Sequence, residues 1–220
     1  MQNVVVLGKG DLAIHVANWF LKSDKYILAA IVPVMPEPTW TQSLAQWGDA
    51  NGIMVIDSGH YKDLPQMATA DGTIDLAVSV FYDKIIKSWF IDRCKRIINL
   101  HNGPLPKYRG VSPINWALKN NESEHGITIH EITPGVDDGP IIAQLKYSIY
   151  PEFDEVIDVY QRSLKYGWTL FEQTIPLLDQ IQAREQLESD ATYYGKADNL
   201  RLEERSDFTR GCAIQQLTKK

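Results

Sequence analysis

Short apolar runs alternate with amphipathic stretches along the first hundred residues, and this rhythm predicts an α/β fold. Runs rich in Val, Ile and Leu predict strands, and the stretches between them have the apolar spacing of helices. The predicted strands are 4–7, 26–34, 53–56, 74–81 and 96–101. The predicted helices are 12–22, with Asp11 as its cap, 41–47, 61–68 and 85–93. Strands that alternate with helices indicate βαβ units, so we expect a Rossmann-like, mostly parallel twisted sheet with flanking helices.

The rhythm changes after a loop at 103–112. Pro113 suits the first turn of a helix that runs to about Lys119. Residues 126–132 and 140–147 then predict an antiparallel pair added to the sheet. Helical spacing covers 153–181, where Pro176 kinks or divides the helix. We therefore predict a main domain over 1–150 and a C-terminal extension over 151–220, formed by a helix and a small β appendage.

Composition and charge exclude several classes of protein. The 220 residues, 44% of them apolar, suit one large domain or one domain with a tail. No apolar run approaches the roughly 18 residues of a membrane span, and the first residues lack the basic region of a signal peptide. The net charge of −6 without a basic stripe argues against nucleic acid as a partner. Cys94 and Cys212 are isolated, which predicts no disulfide, no metal site and a cytoplasmic location.

Three polar side chains occupy positions where one reaction can use all of them. Asn99 and His101 are two apart in an apolar run, so in a strand they share a face at its carboxyl end. Asp137 lies in a later turn rich in glycine and proline. An imidazole exchanges protons near neutrality, an amide donates to an oxyanion, and a carboxylate orients the imidazole. Asp138 can raise the pKa of Asp137, although turn chemistry alone also favours an aspartate there.

The other histidines have simpler interpretations. We expect His15 on a helix face, His60 in a loop, His125 in solvent before a strand, and His130 on a strand surface. A lone histidine without matching partners in the sequence is more often structural than catalytic, so none of the four is predicted to act in the site.

The segments around Asn99, His101 and Asp137 resemble the active-site region of the folate-dependent formyltransferases. The similarity rests on residues 99–101, 105–110, 113–117, 126–130 and 136–142, and it is firm over 78–145. It implies that these three residues are catalytic and that 1–150 is the catalytic domain. Asn99 and a protonated His101 would hold the oxyanion, and Asp137 with water would move the proton.

The resemblance also implies the ligands. The formyl donor would be N10-formyltetrahydrofolate, held between two loops that contain Phe81, Tyr82, Asp83, Lys84, Ile85, Thr133, Pro134, Gly135 and Val136. The substrate would contact residues after the catalytic histidine, namely Gly103, Pro104, Lys107, Tyr108 and Arg109. Gly103-Pro104 departs from the family's usual His-x-Ser-Leu-Leu-Pro, which predicts altered recognition of the amine. Arg109 has two open interpretations, a pair with a surface carboxylate or a bidentate contact to a substrate anion.

The turn Gly8, Lys9, Gly10 and Asp11 also has two interpretations. It imitates a dinucleotide-binding GxGxxA fingerprint, but a tight strand–helix turn needs glycine in any case. We favour a helix N-terminus that faces a phosphate of the amine substrate. A nicotinamide-dependent oxidoreductase and a catalytically silent nucleotide-binding protein are the alternatives from other classes.

Two segments indicate the substrate branch. Residues 108–110 and 191–195 are most similar to the sugar-nucleotide N-formyltransferases, of the dTDP-4-amino-4,6-dideoxyglucose formyltransferase type. The resemblance therefore implies an amino-deoxy sugar linked to dTDP or UDP as acceptor, and a dTDP-4-amino-4,6-dideoxyhexose is favoured. It also implies a homodimer whose contact or substrate cover is the 151–220 extension, and a place in O-antigen or lipopolysaccharide biosynthesis. Formylation of glycinamide ribonucleotide is the alternative within the family, and the negative charge argues against tRNA.

Overall fold

The computed structural model describes residues 1–66, 69 and 72–202. Its strands are β1 (Gln2–Gly8), β2 (Tyr26–Pro33), β3 (Met54–Val55), β4 (Ile74–Val80), β5 (Cys94–His101), β6 (Arg109–Gly110), β7 (Glu124–Glu131), β8 (Ile141–Ser148) and β9 (Tyr193–Tyr194). Its helices are α1 (Gly10–Leu21), α2 (Leu44–Ala50), α3 (Ser88–Ile91), α4 (Pro113–Lys119) and α5 (Val156–Thr174). Two parts of the sequence predictions lie outside the described residues. They are the extension beyond residue 202, which includes Cys212, and Ala68 at the end of the helix predicted over 61–68.

Contacts divide the chain into two compact units. The first contains Met1–Leu100 and Glu131–Gly135, and the second contains His101–His130 and the residues from Val136 onward. The separate domain boundary expected at residue 150 stays a prediction.

A parallel sheet forms the centre of the first unit. β1 pairs in parallel with β2 and β4, β3 adds to β2, and β5 adds to β4. Residues 4–7 of β1 are fully buried, as expected for a central parallel strand covered on both faces. This unbroken apolar run is the reason that β1 lies in the middle of the sheet rather than at its edge.

The sheet continues through the end of β7. The backbone N–H of Ile132 donates to the carbonyl of Ile97, and Arg96 forms an ion pair with Glu131 at 2.7 Å, which places the end of β7 beside β5. β8 then pairs with β7 in the antiparallel sense. The strand order is β3-β2-β1-β4-β5-β7-β8, so the Rossmann-like, mostly parallel sheet with an added antiparallel pair is confirmed.

The second unit carries the later helices. α4 begins at Pro113, as predicted, and α5 ends at Thr174, where Pro176 forces a 3-10 turn. Residues of α4, β8 and α5 share one apolar core with Tyr108, and this core includes the buried Trp116. β6 and β9 form a small parallel sheet, and of these two strands only β9 lies in the 151–220 extension for which a β appendage is predicted.

Two of the predicted helices differ from the structure. The helix expected over 85–93 is reduced to α3, because the hydroxyl of Tyr61 donates to the carbonyl of Ile85 and accepts from the N–H of Lys87. Those backbone groups are therefore used outside a helix. Within the described part of the helix expected over 61–68, Tyr61–Asp63 form a 3-10 turn and residues 61–66 form no α-helix. Asp11 lies inside the first turn of α1 and does not cap it.

The expectation of a solvated His125 is wrong. This residue lies inside β7 opposite Tyr147 and is fully buried. Its Nε2–H donates to the carbonyl oxygen of Asn102 over 3.1 Å. Burial lowers the pKa of His125 to about 3, so the imidazole is neutral in the folded protein.

This burial predicts that His125 makes the fold sensitive to acid. Between pH 7 and pH 5 an unfolded histidine takes up a proton and the folded one does not, so the free energy of unfolding falls by about 2 kcal/mol through this residue. Denaturant titrations of the wild type and His125→Gln at the two pH values measure this difference. Between pH 7 and pH 5 we expect the free energy of unfolding to fall by about 2 kcal/mol less in the variant than in the wild type. Between pH 8 and pH 7 it should change by the same amount in both proteins. Equal losses on acidification would contradict the prediction.

Candidate active site

The predicted catalytic histidine and aspartate meet in the second unit. His101 ends β5 and is 6% exposed, with Asp137 in the loop between β7 and β8. The Nδ1 atom of His101 lies 3.4 Å from Oδ2 of Asp137. The Nε2 atom lies 2.8 Å from the carbonyl oxygen of Tyr108. A carbonyl only accepts, so Nε2 carries the hydrogen and the Nδ1 lone pair of the neutral ring faces the carboxylate.

The loop holds the Asp137 carboxylate from several sides. The backbone N–H of Gly110 donates to Oδ2 over 2.9 Å, and Nε2 of His130 lies 3.5 Å from Oδ1. The backbone of Asp137 has a φ of 51°, in the left-handed region, which aspartate tolerates better than most residues. The side chain therefore points to His101 because both its backbone conformation and its oxygens are constrained.

Burial and charge act in opposite directions on this pair. Burial alone raises the pKa of Asp137, but the imidazoles of His101 and His130 and the N–H of Gly110 together lower it well below its usual range. Burial lowers the pKa of His101, although the charge of Asp137 opposes this. At neutral pH the carboxylate is therefore ionised and the imidazole neutral.

Two expectations from the sequence concern the protonation of His101 and Asp137. The protonated His101 that would hold the oxyanion during the reaction stays a prediction, and in the free protein burial lowers the pKa of this ring. The pKa of Asp137 is lowered rather than raised, so the influence expected from Asp138 does not govern it. A neutral imidazole with its free lone pair beside a carboxylate is suited to accept a proton and hold it between the two groups.

Gly103 has a steric role next to this pair. A Cβ atom at this position would lie 2.7 Å from Nε2 of His101. Because this chain has glycine where the family usually has serine, no side chain from position 103 crowds the imidazole. Pro104, Lys107 and Tyr108 line a cleft of about 740 Å³ in the same unit.

Arg109 is engaged by protein acceptors. Its guanidinium binds the side-chain oxygen of Gln186 and, over 2.7 Å, the carboxylate of Glu188. Of its two open interpretations, the carboxylate pair is present in the structure.

Asn99 lies two positions before His101 on β5, as predicted, and is paired in register with Ser79 of β4. This places the amide at the carboxyl end of the parallel sheet, where ligands bind in open α/β folds.

The two loops predicted for the donor occupy the first unit up to Gly135. Phe81 follows β4 with a φ of 55°, and the hydroxyl of Tyr82 donates to the carbonyl of Gly59 over 2.8 Å. Lys84 forms an ion pair with Asp83 at 3.3 Å, and Ile85 is 58% exposed. The second loop contains Thr133, Pro134 and Gly135 in this unit and Val136 at the start of the other.

The turn at residues 8–11 connects β1 to α1. A Cβ atom at Gly8 would lie 2.2 Å from the carbonyl oxygen of Val80, so this position requires glycine for packing between strands. Gly10 has a φ of +72°, which also favours glycine. Burial lowers the pKa of Lys9, and the charge of Asp83 opposes this shift. One carboxylate oxygen of Asp11 is buried without a hydrogen-bond partner.

Sequence reasoning missed the role of His130. It was expected to satisfy a strand surface, yet it is 2% exposed and faces Asp137. Its position in one of the segments that resemble the family was the available signal.

Among the described residues no group of three or more His, Cys, Asp or Glu side chains is placed to hold a metal ion. None of the described helices has the length and apolar character needed to span a bilayer.

Comparison with known proteins identifies the class. Residues 58–175 match the protein family described as Formyl transferase. The match includes Asn99, His101 and Asp137 and spans more than half of the chain, so this protein belongs to the formyl transferase family.

Comparison with solved structures shows which formyltransferases this protein resembles. The sugar 3N-formyl transferase WlaRD, crystallised with dTDP and 5-N-formyl-THF, is 27% identical over 90% of this chain and 71% of its own, with a TM-score of 0.77. An N-formyltransferase from Helicobacter canadensis, in complex with folinic acid and dTDP-3-aminofucose, is 27% identical over 90% and 72%, with a TM-score of 0.75. PseJ from Anoxybacillus kamchatkensis, with UDP-4,6-dideoxy-4-formamido-L-AltNAc and tetrahydrofolate, is 25% identical over 98% and 97%, with a TM-score of 0.61. The predicted resemblance to the folate-dependent sugar formyltransferases is confirmed, and the folates bound to these relatives agree with the predicted donor.

The contact between His130 and Asp137 generates a prediction. His130→Phe keeps a ring of similar size and removes the charge and hydrogen bond that lower the pKa of Asp137, so that pKa should rise. The ¹³Cγ resonance of Asp137, assigned with Asp137→Asn, reports the titration by NMR. His15→Phe, on the exposed face of α1, serves as the control and should leave the titration unchanged. An unchanged pKa in His130→Phe would remove His130 from the site.

Proposed function

We propose that this protein transfers a formyl group from N10-formyltetrahydrofolate to the amine of a nucleotide-linked amino-deoxy sugar. The observation that carries the proposal is the buried pair of neutral His101 and ionised Asp137 in a chain of the formyl transferase family. The sugar acceptor is supported by the three relatives, since each was crystallised with a sugar nucleotide or with dTDP. Membership of this family favours formyl transfer over nicotinamide-dependent reduction.

The protein groups have complementary tasks in such a reaction. The donor supplies an activated formyl carbon, and the acceptor amine must lose a proton as it bonds to that carbon. His101 accepts this proton at Nδ1, and Asp137 stabilises the imidazolium that forms. Asn99 donates its side-chain N–H to the oxygen that becomes negative. His101 then returns the proton to the nitrogen that leaves, so the site ends in its starting state.

The same proposal assigns the ligand contacts. The loops 81–85 and 133–136 hold the folate, and the exposed side chain of Ile85 offers apolar surface suited to a flat heterocycle. The N-terminus of α1, with Gly8, Lys9, Gly10 and Asp11, faces a phosphate of the sugar nucleotide. Gly103, Pro104, Lys107, Tyr108 and Arg109 shape the acceptor side. We propose these roles from the resemblance and from the positions of the loops.

The finer identity of the acceptor belongs to the proposal as well. We propose a dTDP-4-amino-4,6-dideoxyhexose, formylated in the cytoplasm by a homodimer, with a product that enters O-antigen or lipopolysaccharide synthesis. Two relatives were crystallised with dTDP or a dTDP sugar, which supports the nucleotide. The ligands of these relatives include both a 3-amino and a 4-formamido sugar, so the position of the amine is the point that experiment must decide.

Removal of either partner of the catalytic pair tests the mechanism. His101→Ala and Asp137→Ala should each lower turnover by about 10²–10⁴, because each removes part of the proton acceptor. Release of tetrahydrofolate, followed by absorbance, measures turnover, and circular dichroism verifies the fold. The exposed variants His15→Ala and Asp24→Ala are matched controls and should retain wild-type turnover. Near-normal turnover in either catalytic variant would overturn the assignment.

A panel of acceptors tests the substrate. With N10-formyltetrahydrofolate as donor, we expect the fastest turnover with dTDP-4-amino-4,6-dideoxyglucose. The panel includes dTDP-3-aminofucose, a UDP-4-amino sugar and glycinamide ribonucleotide. Faster turnover with another sugar nucleotide would correct the sugar or nucleotide, and faster turnover with glycinamide ribonucleotide would replace the proposed function by the alternative within the family.

A further inference from the structure

We infer that Gln186 is a positioning residue for the formyl transfer, acting through the backbone of the loop that carries Asp137. Its side-chain Nε2 donates to the carbonyl oxygen of Asp137 over 2.8 Å and to that of Gly139 over 2.7 Å. Both hydrogens of this amide are therefore used to hold one loop. The inference rests on the role that the proposed function gives to Asp137.

The other end of the Gln186 amide is fixed by Arg109. The Nε and Nη2 atoms of this arginine donate to Oε1 of Gln186 over 3.1 Å and 2.9 Å. Arg109 is 7% exposed and belongs to β6, so it is a rigid anchor. Glu188, which also binds the guanidinium, is mostly exposed. All hydrogen-bonding groups of the Gln186 amide are therefore satisfied, which fixes its orientation.

The backbone beside Gln186 is also fixed. The N–H of Ile141 donates to the carbonyl of Arg184 over 2.7 Å, and the N–H of Arg184 donates to the carbonyl of Ile141 over 2.9 Å. Ile141 is the first residue of β8, at the far end of the Asp137 loop. Residues 184–186 therefore bind this loop at its end and near its centre.

A few residues later the same segment reaches the second partner of His101. The hydroxyl of Thr192 accepts from the backbone N–H of Tyr108 over 2.7 Å, and the carbonyl of Thr192 accepts from the N–H of Arg109. Tyr108 is the residue whose carbonyl accepts the Nε2–H of His101. Segment 184–194 thus holds the backbone on both sides of the imidazole.

Positioning matters here because Asp137 sits in an uncommon backbone conformation. A left-handed φ at a residue other than glycine persists only where the surrounding contacts hold it. Without the two hydrogen bonds from Gln186, the loop can relax and move the carboxylate from His101. A displacement of about 1 Å is enough to cost on the order of 10²-fold in rate.

The first test measures the reaction in a double-mutant cycle. With N10-formyltetrahydrofolate and the acceptor of the panel that is formylated fastest, Gln186→Ala should lower kcat by about 10–100-fold through the displaced Asp137. A rise in the acceptor KM would report the lost contact with Arg109 and not the position of Asp137. In the Asp137→Ala background the same change should cause no further loss, because its effect passes through Asp137. Gln186→Glu retains the size and the acceptor for Arg109 but loses both donors, so it should lose activity similarly. Gln182→Ala, an exposed glutamine four residues earlier, is the matched control.

The second test needs no substrate. The charge of Asp137 raises the pKa of His101 against burial, so its displacement should lower that pKa further in Gln186→Ala. The ¹⁵N resonances of His101 in the ligand-free protein measure this shift, and Gln182→Ala should titrate as the wild type does.

The outcomes distinguish the positioning role of Gln186 from the proposed function. Gln186→Ala with wild-type kcat and an unchanged His101 titration overturns the inference while the proposed function stands. An equal loss from Gln186→Ala with and without Asp137 also overturns it, since the effect would then be general. Wild-type turnover in Asp137→Ala removes the proposed role of the carboxylate, and the positioning role with it.

Discussion

A buried imidazole between a backbone carbonyl and a carboxylate is the constraint on which the site depends. The carbonyl of Tyr108 determines which nitrogen of His101 carries the hydrogen, and Asp137 faces the other nitrogen. Burial keeps the ring neutral, and the carboxylate makes the uptake of a proton less unfavourable than it would be in an apolar cavity. The site is therefore arranged for proton exchange, with the charge already in place before a substrate arrives.

The backbone on both sides of the imidazole is unusual. Tyr108 and Asp137 both have positive φ values, 63° and 51°. Such positions are costly for residues other than glycine and persist where the fold holds them. The C-terminal segment that includes Gln186 and Thr192 provides those contacts. Residues distant in sequence from the family's catalytic positions thus contribute to the geometry.

Much of the fold follows from local pattern. The buried run of β1, the glycine turn after it and the proline at the start of α4 each have a local cause, so their prediction was confirmed. The failures have long-range causes. α3 is short because the hydroxyl of Tyr61 binds the backbone before it. The burial of His125 depends on the antiparallel partner strand, which the residues before β7 do not reveal.

By itself the sequence determined the fold class, the family and the three candidate catalytic residues, because strand periodicity and short motifs are local properties of the chain. Only the tertiary structure decided the protonation of His101 and Asp137, since a pKa depends on burial and on charges brought in from other segments. It also decided the contact of His130 with Asp137 and the orientation of Gln186. Those partners lie on separate segments, so no local pattern could indicate that they meet.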